Sequence, residues 1–166
     1  EAVGLKFDEG LVDQIVREIL GEPAALPLLQ FALLKLWEKR DRNRITWNSY
    51  HQIGNVTQAL ANTADELYES LLPEEQVTAR RIFLKVVRPS AGLEVTRNRV
   101  RRRQIYQSGE AVDRIDRVLN RLVEARLIRL TSGNTPDDDQ IEVAHEALVR
   151  NWPRLVEWLG EERVRL

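Results

Sequence analysis

Two groups of residues in this sequence are of types that could do chemistry. His145 stands where a β-like stretch passes into a helix, and an imidazole at such a junction can face an anion outside the domain. It can also be a packed residue that is satisfied by local hydrogen bonds. The second group is basic and consists of Arg97, Arg99, Arg101, Arg102, Arg103, Arg114, Arg117 and Arg121. These arginines are candidates for a partner surface or a nucleic-acid surface.

The arginines leave two interpretations open. Arg114, Arg117 and Arg121 form a stripe on one predicted helix, and in a helix-turn-helix domain such a helix enters the major groove of DNA. Alternatively, the arginines pair with acidic residues of the same chain or with a neighbouring domain. The acidic turn at 137–139 would bring three carboxylates towards DNA phosphates, so we do not expect nucleic acid to be a partner.

No catalytic constellation is present in the sequence. It contains no G-x-x-x-x-G-K-[ST] phosphate loop, no G-x-S-x-G elbow and no H-E-x-x-H motif. It has no cysteine, and His51 and His145 are far apart, so a zinc site or thiolate chemistry is not expected. Consecutive carboxylates in a turn, as at 137–139, are usually solvated. We expect no catalytic residue, no metal site and no enzyme activity in these residues.

The composition is that of a globular protein. Apolar residues make up 43% of the chain and charged residues 31%, and the net charge is −1. No apolar run approaches the length of a membrane span and no signal peptide is recognisable, so we expect a cytoplasmic protein without membrane contact. The chain starts with Glu1 and contains no methionine. We expect it to be a domain region of a longer polypeptide; a processed N-terminus would give the same pattern.

The apolar spacing predicts a mainly α fold. Helices are expected at about 8–20, with Asp8 as its cap, and at 25–39, 57–71, 111–125 and from Pro73 onward. The helix at 25–39 has almost no polar face, so it should be buried on most sides. Three other helices have one apolar face each: Leu11, Val12, Ile15, Val16 and Ile19 in the first, Ala79, Ile82, Phe83, Val86 and Val87 after Pro73, and Ile115, Val118, Leu119, Leu122 and Val123 in the helix at 111–125. Thr46 should cap a short helix that Gly54 ends. The stretch 95–105 is predicted as an extended piece followed by a turn or short helix, and strands at 127–130 and 140–143 should form a hairpin. Further helices are expected from His145 and after Pro153. This order predicts a small helical bundle followed by a winged-helix domain with a short β-hairpin wing.

Several stretches carry a family resemblance. Residues 21–37, Gly-Glu-Pro-Ala-Ala-Leu-Pro-Leu-Leu-Gln-Phe-Ala-Leu-Leu-Lys-Leu-Trp, and residues 143–155, Val-Ala-His-Glu-Ala-Leu-Val-Arg-Asn-Trp-Pro-Arg-Leu, are the main ones, and 80–87 and 122–128 also fit. Together they resemble the novel-STAND NTPase module found upstream of WD repeats in bacterial, especially cyanobacterial, proteins. The resemblance implies that 1–54 is a lid-like domain of an AAA+/STAND ATPase, 55–150 a winged-helix domain, and 151–166 a C-terminal helix leading to the next domain.

The resemblance also implies roles for two residues. Pro27 corresponds to the lid proline that packs on the adenine, with Ala25 at the position of the family's glycine. His145 corresponds to the winged-helix histidine that touches the β-phosphate of ADP, here within Val-Ala-His-Glu where relatives have Met-His-Asp. The ligand so implied is ADP or ATP, with Mg, in the full-length protein. The implied partners are an upstream P-loop core and downstream WD repeats of the same chain, and a homo-oligomer on activation.

The function implied by the resemblance is that of a non-catalytic regulatory module in a STAND signal-transduction ATPase. It would close over bound nucleotide and relay the nucleotide state to the WD repeats. Two alternatives come from the residues alone. One is a DNA-binding winged helix that uses the helix at 111–125. The other is a structural adaptor, in which the arginines, Trp152 and Trp158 dock a neighbouring domain.

Overall fold

The computed structural model describes residues 4–22, 25–89, 95–106 and 109–165, without the side chains of 88–89, 95–97, 163 and 165. The chain divides into two compact units. Unit 1 is Glu1–Thr63 and unit 2 is Ala64–Leu166. The division falls within a helix, Ala59–Ser70, which we call α4.

Unit 1 is built from short strands and helices. In chain order they are β1 (Lys6–Phe7), α1 (Leu11–Ile19), α2 (Ala25–Glu38), β2 (Arg44–Ile45), α3 (Trp47–Ile53) and the start of α4. The two strands pair in parallel, with Lys6 opposite Arg44 and Phe7 opposite Ile45. The core of the unit comprises Leu11, Ile15, Leu28, Phe31, Ala32, Leu36, Ile45, Tyr50, Ile53, Val56, Ala59, Leu60 and Ala61.

The ends of α3 are as predicted. The Thr46 side chain accepts a hydrogen bond from the Ser49 N–H at 3.0 Å, which satisfies a backbone donor in the first turn. At the other end Gly54 has φ 82°, the left-handed conformation that ends many helices. Both signals are local in sequence, so they could be recognised without knowing the fold.

The predicted cap of α1 is wrong. Gly10 occupies that position with φ 79°, and α1 has no side-chain cap. The Asp8 carboxylate instead accepts hydrogen bonds from the Trp47 N–H at 3.0 Å and from Arg44 Nη1 at 3.2 Å. The cause is the pairing of β1 with β2, which brings Asp8 to the start of α3. Asp8 therefore stabilises the first turn of a different helix from the one it precedes.

Both α1 and α2 leave apolar side chains exposed. Leu20 is 71% exposed and Leu26 62%. The prediction that α2 is buried on most sides is therefore wrong. Val12 and Val16, which widen the predicted apolar face of α1, are exposed. We call this set the apolar surface of unit 1; its members are Val12, Val16, Leu20, Leu26, Leu33 and Trp37.

Unit 2 contains the remainder of the described helices and strands. In chain order after α4 they are α5 (Pro73–Val86), β3 (Val87–Pro89), β4 (Val95–Arg97), β5 (Val100–Arg101), α6 (Arg102–Ile105), α7 (Val112–Glu124), β6 (Ile128–Thr131), a 3₁₀ turn (Pro136–Asp138), β7 (Gln140–Val143), α8 (Glu146–Asn151) and α9 (Pro153–Arg165). The β3 and β4 strands pair antiparallel, and β5, β7 and β6 form a three-stranded antiparallel sheet in that order. The predicted fold class, mainly α with a β-hairpin, is confirmed.

The core of unit 2 is formed by α5, α7, β7 and the last two helices. Ala79, Ile82, Phe83, Val86 and Val87 are all buried, which confirms the predicted inner face of this segment. Trp152 is fully buried and packs edge-on against Phe83, with ring centroids 5.1 Å apart, and its indole N–H donates to Asp65 Oδ1 at 2.6 Å. Leu155, Trp158 and Leu159 of α9 are also buried. The helix after Pro153 is thus part of this core.

Within the described ranges, every helix is too short or too polar to cross a lipid bilayer.

Candidate functional site

His145 lies just beyond the end of the hairpin formed by β6 and β7. Ile128 pairs with Val143, and the pattern continues with the Ala144 N–H, which donates to the Leu127 carbonyl at 2.9 Å. The same register places His145 beside Arg126. His145 then begins α8 with an extended backbone, and its side chain makes no capping hydrogen bond. The imidazole is half-buried.

Arg126 has an unusual backbone conformation for its residue type. It follows the C-terminal end of α7 with φ 65°, in the left-handed region that glycine normally occupies. Its N–H donates to the Val123 carbonyl and the N–H of Leu127 donates to the Leu122 carbonyl, both at 3.0 Å. These two hydrogen bonds are those of a Schellman motif. The Arg126 N–H is therefore used at the end of α7, and the Arg126 carbonyl oxygen can accept a hydrogen bond from another donor.

The strand register places His145 opposite Arg126, and the imidazole hydrogen-bonds the Arg126 backbone. Burial lowers the pKa of His145 below its usual value, the hydrogen bond to the Arg126 backbone opposes this effect, and the nearby Arg129 guanidinium lowers the pKa further. The net direction is downward, so His145 is neutral at pH 7 in this structure. A neutral imidazole carries one N–H, and the Arg126 carbonyl accepts it.

Two arginines hold the carboxylate of Glu142 close to this junction. Arg99 Nε donates to Glu142 Oε2 at 2.6 Å, and Arg129 Nη1 lies 3.7 Å from Oε1. The Glu142 side chain is largely covered, whereas both guanidinium groups are more than half exposed. One buried carboxylate is thus shared between two cations that also face solvent.

The arginines of α6 pair mainly with acidic groups of unit 2. Arg102 hydrogen-bonds the Tyr106 hydroxyl at 2.8 Å and Asp116 at 3.1 Å, and it lies 3.7 Å from Asp139. Arg103 lies 3.6 Å from Asp138. The acidic turn therefore binds the basic stretch of its own unit. Arg101 and Arg103 also line a cavity of about 370 Å³ beside this turn, and the side chain of Arg97 lies outside the described residues.

The arginines of α7 face α4 and α5. Arg114 contacts the Thr78 hydroxyl at 3.2 Å and Glu110 at 3.4 Å. Arg117 contacts Glu75 at 3.4 Å, and Arg121 donates to the Ser70 hydroxyl at 2.7 Å. The predicted stripe on this helix exists, and it is engaged in contacts within unit 2.

The sequence-predicted residues do not fall in one unit. Pro27 is exposed in the first turn of α2, in unit 1, and His145 belongs to unit 2. Sequence reasoning missed Arg126, Arg129 and Glu142. A residue other than glycine directly after an amphipathic helix was the available signal for Arg126. Nothing local marks Arg129 or Glu142, because their contacts depend on strand register.

The chain matches the model of one protein family over residues 1–166, and the description of that family is novel STAND NTPase 1. The chain belongs to the novel STAND NTPase 1 family. No curated protein and no solved structure matches it.

Proposed function

We propose that this chain is a non-catalytic regulatory module of a STAND signal-transduction ATPase. Unit 1 acts as the lid and unit 2 as a winged helix, and together they close over a nucleotide and relay its state to WD repeats further along the polypeptide. The nucleotide is ADP or ATP, with Mg, held by a P-loop core. This chain supplies His145 and Pro27 to that site. Two observations support this proposal: the chain belongs to an NTPase family, and its 166 residues contain no phosphate loop. The nucleotide-holding loop would then belong to the P-loop core, and this chain would regulate it.

The topology of unit 2 supports the winged-helix assignment. In chain order it has α5, the β3–β4 pair, β5, α6, α7 and then the hairpin of β6 and β7. The last strand, β7, lies between the other two in the sheet. In a winged helix the third helix packs on such a three-stranded sheet, and the hairpin is the wing. Here α7 is that helix, and its buried face is Ile115, Val118, Leu119 and Leu122.

The observation that carries the proposal is the position of His145. Its ring is at the start of α8, beyond the last pair of the wing, and part of its surface reaches solvent. A ring enclosed by aliphatic side chains could not contact a ligand of another domain. A histidine on a domain that moves between states makes a contact in one state only, and such a difference is what lets a ligand favour one state.

The apolar surface of unit 1 supports a role that needs a covering domain. Val12, Val16 and Leu20 are spaced four residues apart on α1 and its end, so they lie along one side of the helix. Exposed apolar side chains grouped in this way are typical of surfaces that contact another domain. In the proposal the P-loop core covers them.

The test compares the two histidines in the polypeptide that also carries the P-loop core. His145→Ala should weaken ADP binding about tenfold, because one hydrogen bond to a charged phosphate contributes about 1.5 kcal/mol or more. His51→Ala is the matched control, because His51 is an exposed residue of α3 in unit 1, and it should leave the affinity unchanged. Isothermal titration calorimetry measures both. An unchanged ADP affinity in His145→Ala would contradict the proposal.

The contacts of α7 favour this role over duplex binding. In a DNA-binding winged helix the arginines of the third helix face the groove, whereas Arg114, Arg117 and Arg121 contact α4, α5 and Glu110. A salt series with a duplex separates the two functions, because phosphate contacts are strongest at low salt. We expect no binding at low salt; binding that weakens steeply with added salt would favour the DNA-binding alternative.

A further inference from the structure

We propose that His145 recognises a phosphate only as the imidazolium ion, and that Arg126 is the positioning residue that imposes this requirement. This inference rests on the proposed function, in which His145 contacts the terminal phosphate of a nucleotide. It adds a proton to the contact between His145 and the phosphate. It also assigns a role to Arg126, which would act on His145 and not on the phosphate.

The first step is the geometry of the Arg126 carbonyl. The antiparallel register of β6 and β7 continues through Leu127 and Ala144, so the next opposed residues are Arg126 and His145. The N–H of Arg126 is already donated to the Val123 carbonyl. A side chain that hydrogen-bonds the Arg126 backbone must therefore be a donor to its carbonyl oxygen.

The second step is the tautomer of the imidazole. A neutral histidine has one N–H and one nitrogen with a lone pair. Because the N–H of His145 is donated to Arg126, the other nitrogen can only accept. An ionised phosphate oxygen also has lone pairs and no proton. The unprotonated ring nitrogen and the phosphate oxygen would therefore repel each other. Protonation of the second nitrogen turns it into a donor, and the imidazolium can then hold the carbonyl and the phosphate together.

The third step concerns the charges around the ring. The charged residues nearest to His145 along the elements that meet there are Glu124 at the end of α7, Arg126, Arg129 of β6, Glu142 of β7, and Glu146 and Arg150 of α8. Arg129 is close enough to disfavour the imidazolium. A bound phosphate reverses that balance, because it attracts both cations. Protonation and phosphate binding therefore assist each other.

The consequence is that binding takes up one proton. The proton comes from solvent, or it arrives on the phosphate, whose second pKa is about 6. In either case the proton ends between the imidazole and the phosphate oxygen. Thermodynamic linkage then requires the affinity to fall as pH rises, by up to about tenfold per pH unit between the pKa of free His145 and that of the complex.

The left-handed conformation of Arg126 is what makes it the positioning residue. The left-handed turn at Arg126 comes between α7 and β6, and the strand register places Arg126 opposite His145. Glycine adopts this conformation without strain, so Arg126→Gly should keep the carbonyl in place. A β-branched residue is poorly tolerated there, so Arg126→Val should displace it.

Nuclear magnetic resonance of the ring nitrogens in this chain tests the tautomer without any nucleotide. Near pH 7.5, His145 should be neutral and show one tautomer, and its titration midpoint should lie below the usual histidine value. His51→Gln assigns the two histidines. Arg126→Gly should keep the single tautomer and Arg126→Val should give a mixture. A mixture in the parent chain or in Arg126→Gly, or a single tautomer in Arg126→Val, would overturn the role of Arg126.

The pH dependence of ADP affinity tests the proton, in the polypeptide that includes the P-loop core. Between pH 6 and pH 8 the dissociation constant should rise by a factor approaching about tenfold per unit. His145→Gln is the control, because an amide donates without titrating, and it reports the titration of the nucleotide itself. If affinity needs His145 but depends on pH no more than in His145→Gln, this inference fails and the proposed function stands. If His145→Gln and His145→Ala both bind ADP like the parent, the proposed function fails.

Discussion

The two units treat their apolar and charged side chains differently. Unit 1 leaves six large apolar side chains of α1, α2 and the Leu20 position exposed, although its core is well formed. Unit 2 encloses Phe83, Trp152 and Trp158, and many of its arginines contact acids and hydroxyls of the same unit. Among its described residues it exposes as many large apolar side chains as unit 1, namely Leu72, Val77, Val112, Leu130, Val156 and Val164. The units therefore differ in distribution: the exposed apolar residues of unit 1 lie on α1, just after it and on α2, whereas those of unit 2 are spread over α5 with its N-cap, α7, β6 and α9.

The difference shows where function should be sought. In unit 2 the basic stripe is a poor guide to a binding surface, because its arginines already contact acids and hydroxyls of the same unit. In unit 1 the apolar surface is the better guide, because covering exposed apolar side chains with another domain removes them from water and is favourable. The following predictions test this contrast, from the largest effect on stability to the smallest.

The first prediction concerns the enclosed core of unit 2. Trp152→Ala should lower the free energy of unfolding by about 3–5 kcal/mol, the range for removing a buried aromatic ring. It also leaves Asp65 without the indole donor. Urea denaturation measures the change. Trp37→Ala in unit 1 is the matched control, because Trp37 is 38% exposed, and it should cost about 1 kcal/mol or less. Equal losses would remove the contrast.

The second prediction uses a buried hydroxyl in unit 1. Burial raises the pKa of Tyr50 to about 12, assisted by its hydrogen bond to Glu18. A raised pKa in the folded state gives stability that is complete below the ordinary value of 10.0 and is lost as the pH approaches 12. The loss should be about 2 kcal/mol.

Tyr50→Phe isolates this contribution. The difference in unfolding free energy between the parent chain and Tyr50→Phe should shrink between pH 10 and pH 12. A difference that stays constant over that interval would show that the hydroxyl titrates at its ordinary value and is not protected by burial.

The third prediction compares two helix ends. Gly54 ends α3 in unit 1 and Arg126 follows α7 in unit 2, both in the left-handed conformation. Arg126→Gly should raise the free energy of unfolding by about 1 kcal/mol, because it removes the steric cost of a side chain there. Gly54→Ala should lower it by more than about 1 kcal/mol. The added Cβ would lie 2.0 Å from the Asn62 amide nitrogen. Thermal unfolding of the two variants checks the opposite signs.

The fourth prediction has the smallest effect on stability. Val16→Lys and Leu20→Lys should change the free energy of unfolding by less than about 0.5 kcal/mol, because exposed side chains contribute little to folding. They should reduce binding of an apolar dye and weaken association with the proposed P-loop core. A large loss of stability would show that the apolar surface is part of the fold of unit 1.

Sequence reasoning succeeded where the signal was local. Thr46 and Gly54 set the ends of α3, and the apolar spacing set the inner faces of α5 and α7. It failed where the determining partner was distant. Asp8 accepts a hydrogen bond from the first N–H of α3 because β1 pairs with β2, and strands of two residues give no clear signal in the sequence. The apolar residues of α2 predicted burial, yet hydrophobicity alone does not say whether the covering surface belongs to the same unit.

The candidate site was predicted only in part for the same reason. The position of His145 after the hairpin follows from the order of elements, since both the hairpin and the helix after it can be predicted from the sequence. Its tautomer depends on the carbonyl of Arg126, which strand register brings close from nineteen residues earlier in the chain. The sharing of Glu142 by Arg99 and Arg129 has the same origin.

The hydrogen bond between Trp152 and Asp65 spans 87 residues, and this has a consequence for the order in which the protein folds. Contacts between distant residues form late, because a long loop must close before they contribute any stability. A growing chain therefore carries the ring of Phe83 uncovered until residue 152 has been synthesised and has left the ribosome. During that interval we expect chaperones that bind apolar segments to bind the nascent polypeptide.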